Sequence, residues 1–151
     1  MIQNVEMIAV PDDATRWLHR ALRQRTYQSD DSLPTDVQHF ASASVPSISL
    51  LLYIQRFRQA MAVPTAAFTQ VVVIHDRLVD KLHHPVLFEI TAHRMAITLL
   101  CAALKVVDDY YPGNARMAMV GGIAPHELAA YERWLYRTLD WDVSECDTCT
   151  A

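Results

Sequence analysis

Glycine is scarce in this chain: three residues of 151, two of them adjacent at Gly121-Gly122. Phosphate-cradling loops need glycines at set spacings, G-x-G-x-x-G or the Walker pattern, so this arrangement excludes a nucleotide loop of either kind. Cysteine is equally sparse. Cys101 lies inside an apolar stretch and reads as a small core residue, while Cys146 and Cys149 form one C-x-x-C in a polar tail. A zinc site of that type needs a second such pair, so the tail cysteines are read as plain thiols and no disulfide framework is expected. Charge of neither sign dominates: 13 Lys and Arg against 17 Asp and Glu give a formal net charge of -4. That balance supplies no global attraction to nucleic acid or to an anionic membrane. No apolar run approaches the roughly 20 residues that cross a bilayer, and the opening MIQNVEMIAV is too short and too polar for a signal peptide. The expectation is an intracellular protein, cytoplasmic or nuclear, with no membrane or nucleic-acid partner, no metal and no cofactor.

What is present is helix. A chain of 151 residues is the size of one domain, and such a domain can bury about 70% of its unfolded surface. The stretch around which it is arranged runs over residues 89–111, EITAHRMAITLLCAALKVVDDYY. Ten residues from Met95 to Leu104 carry no charge, no Gly and no Pro, and their apolar side chains go all the way round. A helix without a polar face must be enclosed on every side, which makes this segment the central rod of a helical bundle. Its charges sit at the ends, with Glu89, His93 and Arg94 before it and Lys105, Asp108 and Asp109 after it.

Other helices are marked by their caps. Residues 12–28 predict a first helix capped by Asp12 or Asp13, with Trp17, Leu18, Ala21 and Leu22 on its apolar side and a solvated row of Arg16, Arg20 and Arg23 opposite. Pro34 suits the first turn of a short helix through Phe40, and everything before Pro46 reads as an N-terminal extension. After Pro46 comes a helix with Ile48, Leu51, Leu52 and Phe57 as its stripe, then one over residues 65–81 opened by Pro64. Residues 114–119 predict a short helix that ends at Gly121-Gly122, where the left-handed conformation is easiest to take. A last helix begins at Pro125, with Glu127 where a capping box wants its acid and Leu128, Tyr131, Leu135 and Leu139 at helical spacing.

Two sets of charges ask for long-range partners. Lys105 precedes Asp108 and Asp109 by three and four residues, but base before acid is the weaker order on a helix, and carboxylates at a helix C-terminus oppose the macrodipole. Lys105 is also the first charge after the apolar run, which puts its ammonium at the rim of the core facing a carboxylate of another helix or another chain; Glu132 is of the right sign. Arg56 and Asp76 fall on consecutive helices, and an interhelical salt bridge between them is expected. His39, the His75-Asp76 dipeptide and Asp108 also fit the pattern of an all-helical metal phosphohydrolase of the HD type, although one His-Asp pair is a chance occurrence. No Ser/His/Asp or Cys/His triad is legible.

The run IHDRLVD, followed by TAHRMAITLLCAALKVVDDYYPGNARMAMVGGIAPHELAAYERWL, resembles a cyclin box, and specifically the phosphate-signalling P-type or U-type cyclins. The resemblance covers residues 40–143. It rests on Pro46 with the Tyr53-x-x-Arg56 spacing, Asp76-Arg77, His93-Arg94, Lys105 with Asp108-Asp109, Asn114, the turn at Val120-Gly121-Gly122-Ile123, and Glu127-Leu128 ahead of Glu132. It implies an all-α fold: a single five-helix cyclin box at 46–143, a helical extension at 1–45 and a polar tail at 144–151. It further implies a regulatory subunit that binds and activates a cyclin-dependent protein kinase and is not itself an enzyme. The kinase would meet Lys105, Glu132, Asp108, Asp109 and Leu128, while Arg56 and Asp76 would form an internal bridge. Ala124, Ala129, Gly113 and Met119 depart from the family pattern, so no anion or substrate contact is carried over. A cyclin-fold module that binds some other protein is the alternative, since one fold serves both roles.

Overall fold

A computed structural model describes residues 10–27, 33–107 and 111–145. The C-x-x-C pair, Asp108 and Asp109 lie outside the described residues. Among the described residues, regular structure is helical throughout apart from one isolated bridge between Tyr27 and Phe88. The elements in order are α1 (Asp13–Gln24), a 3-10 helix (Thr35–Phe40), α2 (Leu50–Ala60), α3 (Thr65–Leu82), α4 (Ala92–Val107), α5 (Asn114–Gly121) and α6 (Pro125–Thr138). None of these helices is long and apolar enough to cross a membrane.

Helix α4 is the rod. Every residue from Met95 to Leu104 is buried, and the two polar atoms of the Thr98 side chain and Arg94 backbone satisfy each other, Thr98 Oγ1 donating to the Arg94 carbonyl at 2.8 Å. The helix packs against α3 along its length and against α2, α5 and α6, which is how an all-round apolar surface is removed from water. It begins later than residue 89 because Thr91 holds the preceding turn: its hydroxyl donates to the Val86 carbonyl and accepts from the Phe88 N–H, both at 3.0 Å.

The other helices take their places through their stripes. In α3 the buried residues Ala67, Phe68, Val71, Ile74 and Leu78 recur every three or four positions, so the adjacent valines belong to a helix, with Val72 and Val73 only partly buried. Helix α1 starts at Asp12, whose side chain accepts from the Thr15 N–H at 2.8 Å. It buries Thr15, Leu18, Ala21 and Leu22 against α2 and α3, while Trp17 stays 40% exposed on the side expected to be apolar. The two adjacent glycines do different work. Gly122 ends α5 at φ 70°, whereas Gly121 is the point of closest approach, where the Tyr53 hydroxyl donates to its carbonyl at 2.7 Å and a Cβ would run into Ile97 and Tyr53.

The expected bridge between Arg56 and Asp76 is not formed. Asp76 instead receives Arg25 in a two-pronged pair, Nε to Oδ1 at 2.8 Å and Nη2 to Oδ2 at 3.1 Å, and also meets His75 Nδ1 at 2.8 Å. Arg56 lies on the far side of α2, stacked over Tyr53 and reaching the Val120 carbonyl at 3.4 Å. The reason is packing: α2 and α3 are consecutive but are not a principal packing pair, since α1 packs on both and α4 packs on both.

Candidate functional site

The C-terminal end of the rod delivers Lys105 to the rim of the core. The residues before it are buried on all sides, and its own side chain is 34% exposed. Helix α6 faces it with Leu128, Tyr131, Glu132 and Leu135 turned inward. Lys105 Nζ donates to Glu132 Oε2 at 2.8 Å, and the Asn114 amide at the start of α5 donates to Glu132 Oε1 at 2.6 Å. Tyr111 completes the set by donating its hydroxyl to the Asn114 side-chain oxygen and by lying under the ammonium, 4.8 Å from ring centroid to Nζ. With a side chain only 6% exposed, Glu132 is enclosed and both its oxygens are occupied.

This arrangement offers donors outward and no free acceptor from Glu132. A lysine ammonium carries three N–H groups, and among the described residues Glu132 accepts from one of them, with a third of the side chain open to water. The pair opens on a groove of about 330 Å³ lined by Lys105, Asn114, Ala129, Glu132, Arg133, Tyr136, Arg137 and Trp141. Burial, with the nearby Glu132 and Cys101, pushes the Tyr136 phenol up to about 12, and burial raises the Tyr111 phenol as well. Burial likewise pushes the Cys101 thiol up to about 12, which suits a core residue and not a nucleophile. The groove therefore contains donors, aromatic faces and a fixed ion pair.

Of the residues expected at a partner face, Lys105 and Glu132 are brought together. Leu128 is not part of that face: it is fully buried, because its position on α6 is one turn before Glu132 on the side turned to the core. It belongs to the packing between α6 and its neighbours. Glu132 takes part through Lys105, since its own carboxylate is closed off.

A second ionic group lies at the other end of the rod. Arg94 Nε donates to Glu127 Oε2 at 2.8 Å and Arg94 Nη1 to Ser42 Oγ at 2.7 Å, while the Tyr131 hydroxyl donates to the same carboxylate. Burial works to raise the Glu127 carboxyl, but the bonds from Tyr131 and Arg94, with the Ala124 N–H, hold it below the usual carboxylate range. Glu127 thus ties α6 to α4 and to the segment before α2, more than a capping box asks of it.

Of the metal-hydrolase pattern, Asp108 lies outside the described residues, and His39 and the His75-Asp76 pair are each engaged elsewhere. His39 stands in an aromatic cluster with Phe40, Tyr131 and Trp134, while His75 and Asp76 are engaged with Arg25. Among the described residues no group of three or more His, Cys, Asp or Glu side chains is placed to hold a metal ion.

Sequence reasoning missed Trp141. Two successive non-glycine residues, Asp140 at φ 51° and Trp141 at φ 65°, take the left-handed conformation after α6, and the indole is 72% exposed while stacked on Tyr136 at 4.9 Å. Nothing in the residues Asp-Trp marks such a turn in advance.

The cyclin family model matches residues 5–143, nearly the whole chain. The chain belongs to the cyclin family. Its relatives are of the P and U types. A PHO85 cyclin-like protein of Schizosaccharomyces pombe, psl1, is 35% identical over 101 residues, which are 66% of this chain and 42% of the relative. Cyclin-U3-1 of Arabidopsis thaliana is 33% identical over 108 residues, 72% of this chain and 48% of that one. PHO85 cyclin-7 of Saccharomyces cerevisiae is 26% identical over 117 residues, 70% of this chain and 41% of the relative. This cyclin spans about half the length of the curated relatives it matches.

Proposed function

We propose that this cyclin is a regulatory subunit that binds and activates a cyclin-dependent protein kinase and performs no chemistry itself. The observation that carries the proposal is the Lys105–Glu132 pair, built at the end of a helix buried from Met95 to Leu104, fixed by Asn114 and Tyr111, and open to water along the lysine side chain. In this reading α2 to α6 are the five helices of a cyclin box over 46–143, residues 1–45 are an extension packed before it, and 144–151 are a tail. The groove between the end of α4 and α6 receives a movable helix of the kinase. Protein kinases are active only when a strand lysine and a helix glutamate are paired, so a partner that binds the helix in its inward position raises the active population. The names of the PHO85 cyclin relatives support this choice of partner, and they associate the reading with phosphate signalling as the sequence resemblance does.

The structure changes which variant is informative. Reversing charge at Lys105 would set a second carboxylate against enclosed Glu132 and would weaken the fold along with any binding. Ala129 lines the groove, is only partly buried, and makes no part of the ion pair, so Ala129→Trp blocks the groove and leaves the pair alone. Recovered on the tagged wild-type protein from a lysate of the source cells, a cyclin-dependent kinase and its phosphorylation activity are the expected result, both lost with Ala129→Trp. Recovery of the same kinase by wild type and Ala129→Trp alike removes the groove from the account. Recovery of a different protein and no kinase favours the module that serves another partner.

A further inference from the structure

Helix α3 has no glycine to end on. His83 takes the left-handed conformation instead, at φ 62°, with its N–H donating to the Val79 carbonyl at 2.8 Å, and Pro85 two residues on has no N–H to continue the helix. The reversal brings His84 to the 3-10 helix. There its imidazole is held at both nitrogens, Nδ1 2.8 Å from the Pro85 carbonyl oxygen and Nε2 3.0 Å from Asp36 Oδ2, with 22% of the side chain exposed. Those two partners decide the charge of the ring. A carbonyl oxygen and a carboxylate oxygen both accept, so both ring nitrogens must donate, and a neutral imidazole has one N–H to give. Only the imidazolium satisfies both bonds. Once the proton is lost, one acceptor faces a bare nitrogen lone pair; the Pro85 carbonyl is held beside the ring by the chain, so Asp36 is the partner free to part.

The other charges near the ring leave Asp36 as its counter-ion. Arg25, His75, Asp76, Asp80 and His83 line a pocket with His84; Asp76 is taken up by Arg25 and His75, while Asp80 and His83 are exposed. Asp30 and Asp31 lie outside the described residues, and a carboxylate near the ring acts on it in the same sense as Asp36. Burial lowers His84, but Asp36 and the Pro85 carbonyl outweigh burial and raise it from 6.5. His39, on the 3-10 helix itself, stands among Phe40, Tyr131 and Trp134 and is lowered by burial, so the two histidines titrate on opposite sides of 6.5.

We infer that His84 is a pH-dependent fastening of the 3-10 helix to the end of α3, closed while the ring carries its second proton and released from Asp36 when the ring is neutral. Val37 and Phe40, both fully buried, keep the rest of the segment in place, so the release is local. With a folded value above the unfolded one, the contribution is fully present below pH 6.5 and is lost as pH rises through the folded value. The inference goes beyond the kinase reading and does not depend on it.

The test is NMR of the full chain labelled with nitrogen-15, followed from pH 5.5 to pH 8.5. Both ring nitrogens of His84 are expected to carry protons at pH 6, with a midpoint above 6.5 that the Asp36 and Val37 amides share. Across that midpoint the exchange protection of the amides at 35–38, corrected for the intrinsic rate, is expected to fall about two- to fivefold, the size a partly exposed pair allows. Asp36→Asn is expected to lower the His84 midpoint, and both Asp36→Asn and His84→Gln to remove the pH dependence of the 35–38 amides above pH 6.5. A His84 midpoint at or below 6.5, or one that Asp36→Asn leaves in place, overturns the fastening. So does a pH dependence of those amides above pH 6.5 that survives His84→Gln.

Discussion

Lys105 is both a structural residue and an exposed one, and its chemistry follows from that. Its partner Glu132 sits 6% exposed, so removing or reversing the lysine strands a carboxylate that water reaches poorly. Breaking a fully buried pair costs roughly 3–5 kcal/mol; with a third of the lysine open to water a smaller loss, about 1–3 kcal/mol, is expected for Lys105→Glu. The exchange Lys105→Glu with Glu132→Lys should regain at least half of that in urea unfolding. Equal stability of wild type and Lys105→Glu would mean that the pair contributes nothing to the fold. Periodicity placed Lys105 at the rim of the core because it counts residues after an apolar run. It did not separate Leu128 from Glu132, which sit one turn apart on α6 and are both turned inward, and a helical repeat gives no measure of which inward position reaches a neighbouring cation.

At the scale of elements, α1 is bound to α3 by the Arg25–Asp76 pair and to α2 by Arg58 Nε donating to Asp12 Oδ2 at 2.8 Å. A double-mutant cycle on Arg25 and Asp76 should give a coupling of about 0.5–1 kcal/mol, as partly exposed pairs do, and a cycle on Arg56 and Asp76 should give none. Coupling between Arg56 and Asp76 above that between Arg25 and Asp76 would contradict the observed packing. The choice of Arg25 was not legible in the sequence, since consecutive helices were assumed to be neighbours and here α1 serves both. The rod, the proline-opened helices and the Gly122 turn were legible, because each depends on residues within one or two turns.

Histidines on four different elements set how the helices respond to acid. Burial lowers the imidazoles of His19, His39, His75 and His93 from their ordinary value of 6.5, in His75 against the opposing pull of Asp76. A histidine whose folded value is depressed takes up its proton first in the unfolded chain, so stability falls as pH drops below about 6.5. His84 runs the other way: burial lowers it, but Asp36 and the Pro85 carbonyl outweigh burial and raise it, adding stability below 6.5. Four groups against one predict a lower melting temperature at pH 5.5 than at pH 7.5. In stronger acid the depressed carboxyls add losses of the same sign. These are Asp12, held at about 2 by the Thr15 N–H and Arg58, and Asp76, held low by Arg25 and His75 against burial. A melting temperature that holds or rises between pH 7.5 and 5.5 would show that His84 prevails.

At the scale of the whole molecule, an enclosed rod is surrounded by helices that leave one end of it at the surface, beside a groove with donors, aromatic faces and cations. The family match and the all-helical fold agree with one another. The most direct measurement is the phosphorylation rate of a purified cyclin-dependent kinase subunit as this protein is titrated into it. The account predicts a rate that rises from near zero and saturates at one equivalent, and a flat response to Ala129→Trp at matched melting temperature. A flat response to the wild-type protein across every such kinase of the source cell, or an equal rise with Ala129→Trp, would contradict it.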